Sequence, residues 1–147
     1  MKAPNRSDAR KLSLPRNCHV HSLSVRGDAR GSLVALESGS DLPFKIARVY
    51  YIFGNQPAVE RGFHAHQQLT QWAICVSGRC VMRVDDGETR ADVALDRPDL
   101  ALEIGSPVWR EMHDFSPNAV LLVLASAPYD EADYIRDYDD FLATVRT

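Results

Sequence analysis

The stretch Arg61-Gly62-Phe63-His64-Ala65-His66, followed by Gln71 and Gly78, decides how this chain reads. His64 and His66, two of the chain's five histidines, stand two residues apart within it. On a strand, that spacing projects both imidazoles from the same face. Two tunable proton carriers on one rigid surface imply a pocket around them and raise the question of a metal.

The surrounding chain bounds the answer. Its 147 residues suit one domain with a full hydrophobic core. We expect a flexible N-terminal arm over 1–16 and a folded domain over 17–147. The 45% apolar and 25% charged composition is that of a soluble globular protein. A net charge of −3 argues against nucleic acid or an anionic membrane as partner, while leaving room for a small anionic ligand held by a few arginines. The first residues are polar, with Lys2, Arg6, Arg10 and Lys11, and lack the apolar core of an export signal. No apolar run is long enough to span a membrane. Cys18, Cys75 and Cys80 have no CxxC spacing, so free, buried thiols in a reducing cytoplasm are expected.

Outward from the histidines the chain reads as strands. Segments 18–25, 33–36, 45–53, 69–76, 80–84, 89–95, 100–104, 108–112 and 119–125 are apolar or alternating, and rich in β-branched or aromatic residues. Gly27-Asp28, Ser77-Gly78 and Asp85-Asp86-Gly87 mark turns, the last a strong hairpin signal. A single helix is expected at the end, capped by Asp139 or Asp140, with Phe141, Leu142 and Val145 on one face. About ten short strands at this spacing predict an all-β barrel with a ligand cavity at its mouth.

His64, His66, Gln71 and Gly78 in this order resemble the first motif of the cupin superfamily, a jelly-roll barrel. In metal-binding cupins two His and a Glu supply three ligands, and a His from a second motif supplies the fourth. Here the Glu position is Gln71, a poor ligand, and the second motif carries Arg110, which is always cationic and ligates no metal. His113 is three residues displaced. The expectation is a metal-free site without cofactor. A metal-dependent cupin stays open as an alternative, as do two histidines with no chemical role. Without a metal, a histidine pair suits acid–base work, and Arg110 suits stabilisation of developing negative charge on an oxygen. Together they fit proton abstraction beside a carbonyl through an enediolate.

The stretch 61–66 is similar to the signature of the cupin dTDP-4-oxo-6-deoxyglucose 3,4-ketoisomerases. So are Arg30-Gly31-Ser32-Leu33, Arg48-Val49-Tyr50-Tyr51-Ile52-Phe53, Asp85-Asp86-Gly87 and Val108-Trp109. The likeness continues through Met112-His113-Asp114-Phe115-Ser116, Leu124-Ala125-Ser126 and Tyr129 to Tyr138. The resemblance implies a cytoplasmic bacterial isomerase that moves the keto group of a dTDP-linked 6-deoxyhexose from C4 to C3. Its product would feed an aminotransferase making a 3-amino-3,6-dideoxy sugar for surface polysaccharide or a secondary metabolite. It also implies a homodimer with an exchanged N-terminal strand.

By the same resemblance, His64 and His66 are the catalytic pair, with His64 expected to take the C3 proton and His66 to assist. Arg30, Tyr51, Arg61, Gln71 and Arg110 are the expected substrate-binding residues. Arg61 is a candidate for the pyrophosphate, since a guanidinium pairs bidentately with phosphate oxygens; a surface salt bridge is the alternative. Tyr51 is a candidate pocket residue, with a core role as the alternative. Arg30 and Arg110 stand where the family varies and are expected to shape the face on which C4 is reprotonated. Gln67 and Thr70 depart from the family's usual Lys and acidic residue. Two further alternatives stay open. One is the metal-free 3,5-epimerases, whose usual His–Asp and Tyr arrangement is not evident in the sequence. The other is a non-catalytic sugar-binding module.

Overall fold

The computed structural model describes residues 13–147. Strands β1 (Cys18–Ser22), β9 (Leu100–Ile104), β6 (Gln71–Ser77), β11 (Val120–Ala125) and β4 (Arg48–Ile52) form one five-stranded sheet, in that spatial order. The second sheet runs β12 (Tyr134–Ile135), β5 (Arg61–His66), β10 (Trp109–His113), β7 (Cys80–Asp85) and β8 (Arg90–Leu95). All neighbouring pairs are antiparallel. The sequence order crosses repeatedly between the sheets, as in a jelly roll. A ribbon of β2 (Arg26–Asp28) and β3 (Gly31–Leu33) stands apart from both.

The alternating pattern explains the layers. On β8, Ala91, Val93 and Leu95 are buried while Arg90, Asp92 and Ala94 are exposed. Inward residues of both sheets, including Met82, Val84, Val93, Leu102, Leu121 and Val123, form the main core. A second cluster, with Trp72, Ile74 and Leu124, is packed by Val34, Leu36, Phe44 and Ile46. The expected strand 33–36 is therefore mostly a covering segment, and β-pairing falls instead on Gly31–Leu33. Cys18, Cys75 and Cys80 are buried free thiols.

The C-terminal helix α1 (Tyr138–Val145) backs the strand that carries the histidines. Phe141 is fully buried in a cluster with Ala65, Trp109 and Ile135, and Leu142 and Val145 pack against it. Burying such an aromatic contributes roughly 1.5–3 kcal/mol. Its cap is Asp137, whose side chain accepts from the Asp140 amide at 3.0 Å, two or three residues before the expected cap. The arm expected over 1–16 lies outside the described residues up to position 12. Beyond it, Leu14 packs on the main core and the Arg16 amide donates to Asp86 Oδ2 at 2.7 Å, so the chain is anchored before residue 17.

The register of β5 slips against β10. Arg110 faces His64, but Glu111 faces Gly62, leaving Phe63 as the extra residue of a bulge. Gly62 and Phe63 both take positive φ, 90° and 58°. A Cβ on Gly62 would lie 3.0 Å from the Arg110 carbonyl oxygen and 3.2 Å from Glu111 Cα. Gly62→Ala is expected to cost more than about 1 kcal/mol, read as a lower urea midpoint at unchanged slope; an unchanged midpoint would contradict this account of the bulge.

Candidate active site

Residues 64 and 66 follow the bulge and share one face of β5, while Ala65 points outward to the helix. The imidazoles meet edge to face, with centroids 5.0 Å apart. Tyr134 of β12 packs on both rings, at 4.9 Å from His64 and 4.4 Å from His66. His66 is 1% exposed and His64 is half-buried.

Arg110 is paired in register with His64 and buried to 1% exposure. Its Nη1 donates to Gln71 Oε1 at 2.6 Å, and its Nη2 to the Val108 carbonyl at 3.0 Å. Gln71 Nε2 in turn donates to the Tyr50 hydroxyl at 3.0 Å. Gln71 thus links both sheets through Arg110 and Tyr50. Arg110 Nε is buried without a hydrogen-bond partner, an orphaned donor beside the histidines.

Two adjoining cavities open here. One, of about 300 Å³, is lined by Arg48, Tyr50, Arg61, His64 and Tyr134. The other, of about 310 Å³, is lined by Arg48, His66, Gln68, Asp133 and Tyr134. Arg48 and Tyr134 line both.

The electrostatics keep the pair uncharged. Burial, then the Arg110 charge, lowers His64 to about 4, against a hydrogen bond that the ring donates to the Gly62 carbonyl and that works the other way. Burial, then Arg110 and His64, pushes His66 to about 2. Burial lowers Arg110 to about 10, so it stays cationic at neutral pH. Both histidines are therefore neutral bases under ordinary conditions.

The structure gathers His64, His66, Gln71 and Arg110 in one interior, with Arg61 exposed at the rim and engaged in no ion pair among the described residues. It does not bring in Tyr51 or Arg30. Tyr51 is 61% exposed, because strand alternation turns it away and turns Tyr50 inward. Arg30 is exposed on the β2–β3 ribbon, its Nη2 2.6 Å from Asp28 Oδ2, and lines the open pocket of that ribbon. His113 bonds Glu111 at 3.0 Å and Glu60 at 3.3 Å, engaged by surface carboxylates. Among the described residues, no group of three or more His, Cys, Asp or Glu side chains is placed to hold a metal ion.

Four neighbours escaped the sequence reading: Arg48, Tyr50, Asp133 and Tyr134. A signal for the first two existed, since Arg48, Tyr50 and Ile52 share a face by period two. For Asp133 there was none. It comes from a short 3-10 turn, Glu131–Asp133, and its Oδ2 lies 3.1 Å from His66 Nδ1. The fold thus sets an Asp and a Tyr against His66, contacts not evident in the sequence.

A family model described as "FdtA: WxcM-like, C-terminal" matches residues 16–146. The chain belongs to this family. A TDP-4-oxo-6-deoxy-alpha-D-glucose-3,4-oxoisomerase of Aneurinibacillus thermoaerophilus is 52% identical over 114 residues, 78% of this chain and 82% of that one. The WlaRB TDP-quinovose 3,4-ketoisomerase of Campylobacter jejuni is 50% identical, with TM-score 0.85 over 88% of this chain and 99% of that one. A His-to-Asn mutant of the 3,4-ketoisomerase QdtA from Thermoanaerobacterium thermosaccharolyticum, in complex with TDP-4-keto-6-deoxyglucose, is 39% identical. Its TM-score is 0.87, over 90% of this chain and 96% of that one. The fold is the cupin jelly roll expected from the sequence, and the chain is an isomerase.

Depressed histidines link stability to pH. Below their ordinary value of 6.5 the unfolded chain takes up protons that folded His64 and His66 refuse until about 4 and about 2. Stability therefore falls as pH drops from about 7 to about 5. A His64→Asn/His66→Asn double variant is expected to lose less Tm over that interval than the wild type; an equal loss would contradict the neutral pair.

Proposed function

We propose that the protein converts dTDP-4-oxo-6-deoxyglucose to a dTDP-3-oxo-6-deoxyhexose, as a dTDP-sugar 3,4-ketoisomerase. The observation that carries this reading is the neutral His64–His66 pair beside the buried Arg110 guanidinium, in a chain 52% identical to an oxoisomerase of that sugar.

The keto shift moves two protons. One leaves C3 and one arrives at C4; meanwhile O4 gains a proton and O3 loses one. The enediolate between them carries negative charge on oxygen. Two uncharged imidazoles can each accept and return a proton, and a buried cation lowers the energy of the intermediate. In this reading His64 takes the C3 proton, His66 assists, and the buried Arg110 charge stabilises the developing oxyanion. Arg61 and Arg48 suit the pyrophosphate, and Gln71 keeps Arg110 in place.

We further infer a homodimer working in the cytoplasm on a path to an amino sugar of surface polysaccharide or a secondary metabolite. Within one chain β1 pairs with its own β9, so the segment suited to exchange is the detached β2–β3 ribbon. The ribbon carries Arg30, with exposed Val25 and Leu33 beside or within it. In that dimer Arg30 would reach the site only from a partner copy. Light scattering is expected to give twice the chain mass; a monomer that is fully active would refute this part.

The His66–Asp133 contact favours one second reading, a 3,5-epimerase. Proton spectra of dTDP-4-oxo-6-deoxyglucose with enzyme in deuterated buffer separate the two. A ketoisomerase exchanges at C3 and moves the carbonyl. An epimerase exchanges at C3 or C5 with the carbonyl left at C4. We expect the first outcome, and a loss of about 10²- to 10⁴-fold in rate for His64→Asn. Exchange without carbonyl movement would overturn the assignment.

A further inference from the structure

A neutral imidazole carries one hydrogen, and the partner of each ring nitrogen decides which one bears it. His66 has such a partner outside the histidine pair. Its Nδ1 lies 3.1 Å from Oδ2 of Asp133, with the two side chains only 2% and 18% exposed. A carboxylate solely accepts, so Nδ1 is the nitrogen that bears the hydrogen, and Nε2 has the free lone pair.

Asp133 is itself held on several sides. Its Oδ1 accepts from the Gln68 amide at 2.9 Å. Its carbonyl accepts from the Gln67 amide at 2.9 Å, and its amide donates to the Asp130 carbonyl at 3.1 Å. The residue after it, Tyr134, is paired with His66 in the β12–β5 register and packs on the imidazole. The carboxylate and the ring are therefore fixed relative to one another by backbone contacts, not by two free side chains meeting.

We propose that Asp133 is the positioning residue of His66: it locks the imidazole as the Nδ1–H tautomer, leaves Nε2 as the proton acceptor, and balances the imidazolium formed when that proton arrives. The proton balance is simple. One proton passes from the substrate to Nε2 and one returns from Nε2, while Nδ1 keeps its hydrogen, donated to the Asp133 carboxylate. The sugar's own C3 and C4 exchange oxidation level, so no outside oxidant or reductant is needed. The inference rests on the ketoisomerase reading for the proton's source, but the tautomer it requires is a property of the resting protein.

Asp133→Asn tests it. The side chain keeps its size, and its oxygen still accepts from Gln68, which turns the NH₂ toward Nδ1 and forces the ring hydrogen onto Nε2. Nitrogen spectra of histidine-labelled protein report the tautomer without turnover. We expect Nδ1–H in the wild type and Nε2–H in the variant. We also expect kcat to fall about 10²- to 10⁴-fold, with KM and dTDP affinity within about threefold, and Asp133→Glu to recover part of kcat. A wild type with its hydrogen on Nε2 overturns the proposal, whether or not the variant folds. So does a variant that keeps kcat, or one whose kcat, dTDP affinity and Tm all collapse together with no recovery in Asp133→Glu. If the wild type shows the Nδ1–H tautomer but does not shift the keto group, the ketoisomerase reading fails while the positioning of His66 stands.

Discussion

The Arg110 guanidinium lies buried between the two sheets, and the site depends on where its charge goes. It finds no carboxylate within its own hydrogen bonds: it donates to Gln71 and to the Val108 carbonyl, and Nε is left without a partner. A buried, incompletely paired cation costs several kcal/mol in general. The surrounding sheets hold it nonetheless, because β10 is paired on both sides and the residue is locked opposite His64. The same charge is a leading cause of the depressed basicity of both histidines. Together with burial, this cation keeps two imidazoles neutral before reaction, and in the proposed reaction it stabilises the oxygen that becomes negative. Electrostatics arranged ahead of the chemistry need no reorganisation during it.

The rest of the fold serves to hold that arrangement still. Gln71 bridges from the opposite sheet, and Tyr50 continues the chain of hydrogen bonds. Behind the histidines, Ala65 is small enough for Phe141 and Trp109 to close over the back of β5. In front, Tyr134 packs on both rings, and Arg136 lies 4.3 Å over the Tyr134 face. The C-terminal segment is therefore a wall of the site as well as a cover for the sheet. Asp133 enters through that wall, which is why a residue 67 positions beyond His66 meets its ring.

Much of this was legible from local pattern. Period-two alternation and Gly-rich turns expose strands, and an HxH pair on a strand must share a face, since side chains alternate there. The identity of Gln71 and Arg110 was enough to argue against the usual cupin metal ligands, because ligand chemistry depends on residue type. Errors arose where a one-residue shift reverses a side chain. Tyr51 was expected in the pocket, and its neighbour Tyr50 is the one turned inward. Arg30, expected to shape the face on which C4 is reprotonated, is held against Asp28 on the ribbon within one chain.

Sequence alone was sufficient for the all-β class, the barrel and the shared face of the histidine pair, because residue type and short-range spacing carry them. Tertiary structure alone decided which of two adjacent tyrosines faces the cavity, that Phe63 is squeezed out in a bulge, and that the tail returns to close the site. Above all it decided the meeting of His66 with Asp133. That contact depends on β12 pairing with β5 across about half of the chain, and no local pattern encodes a pairing made at such separation.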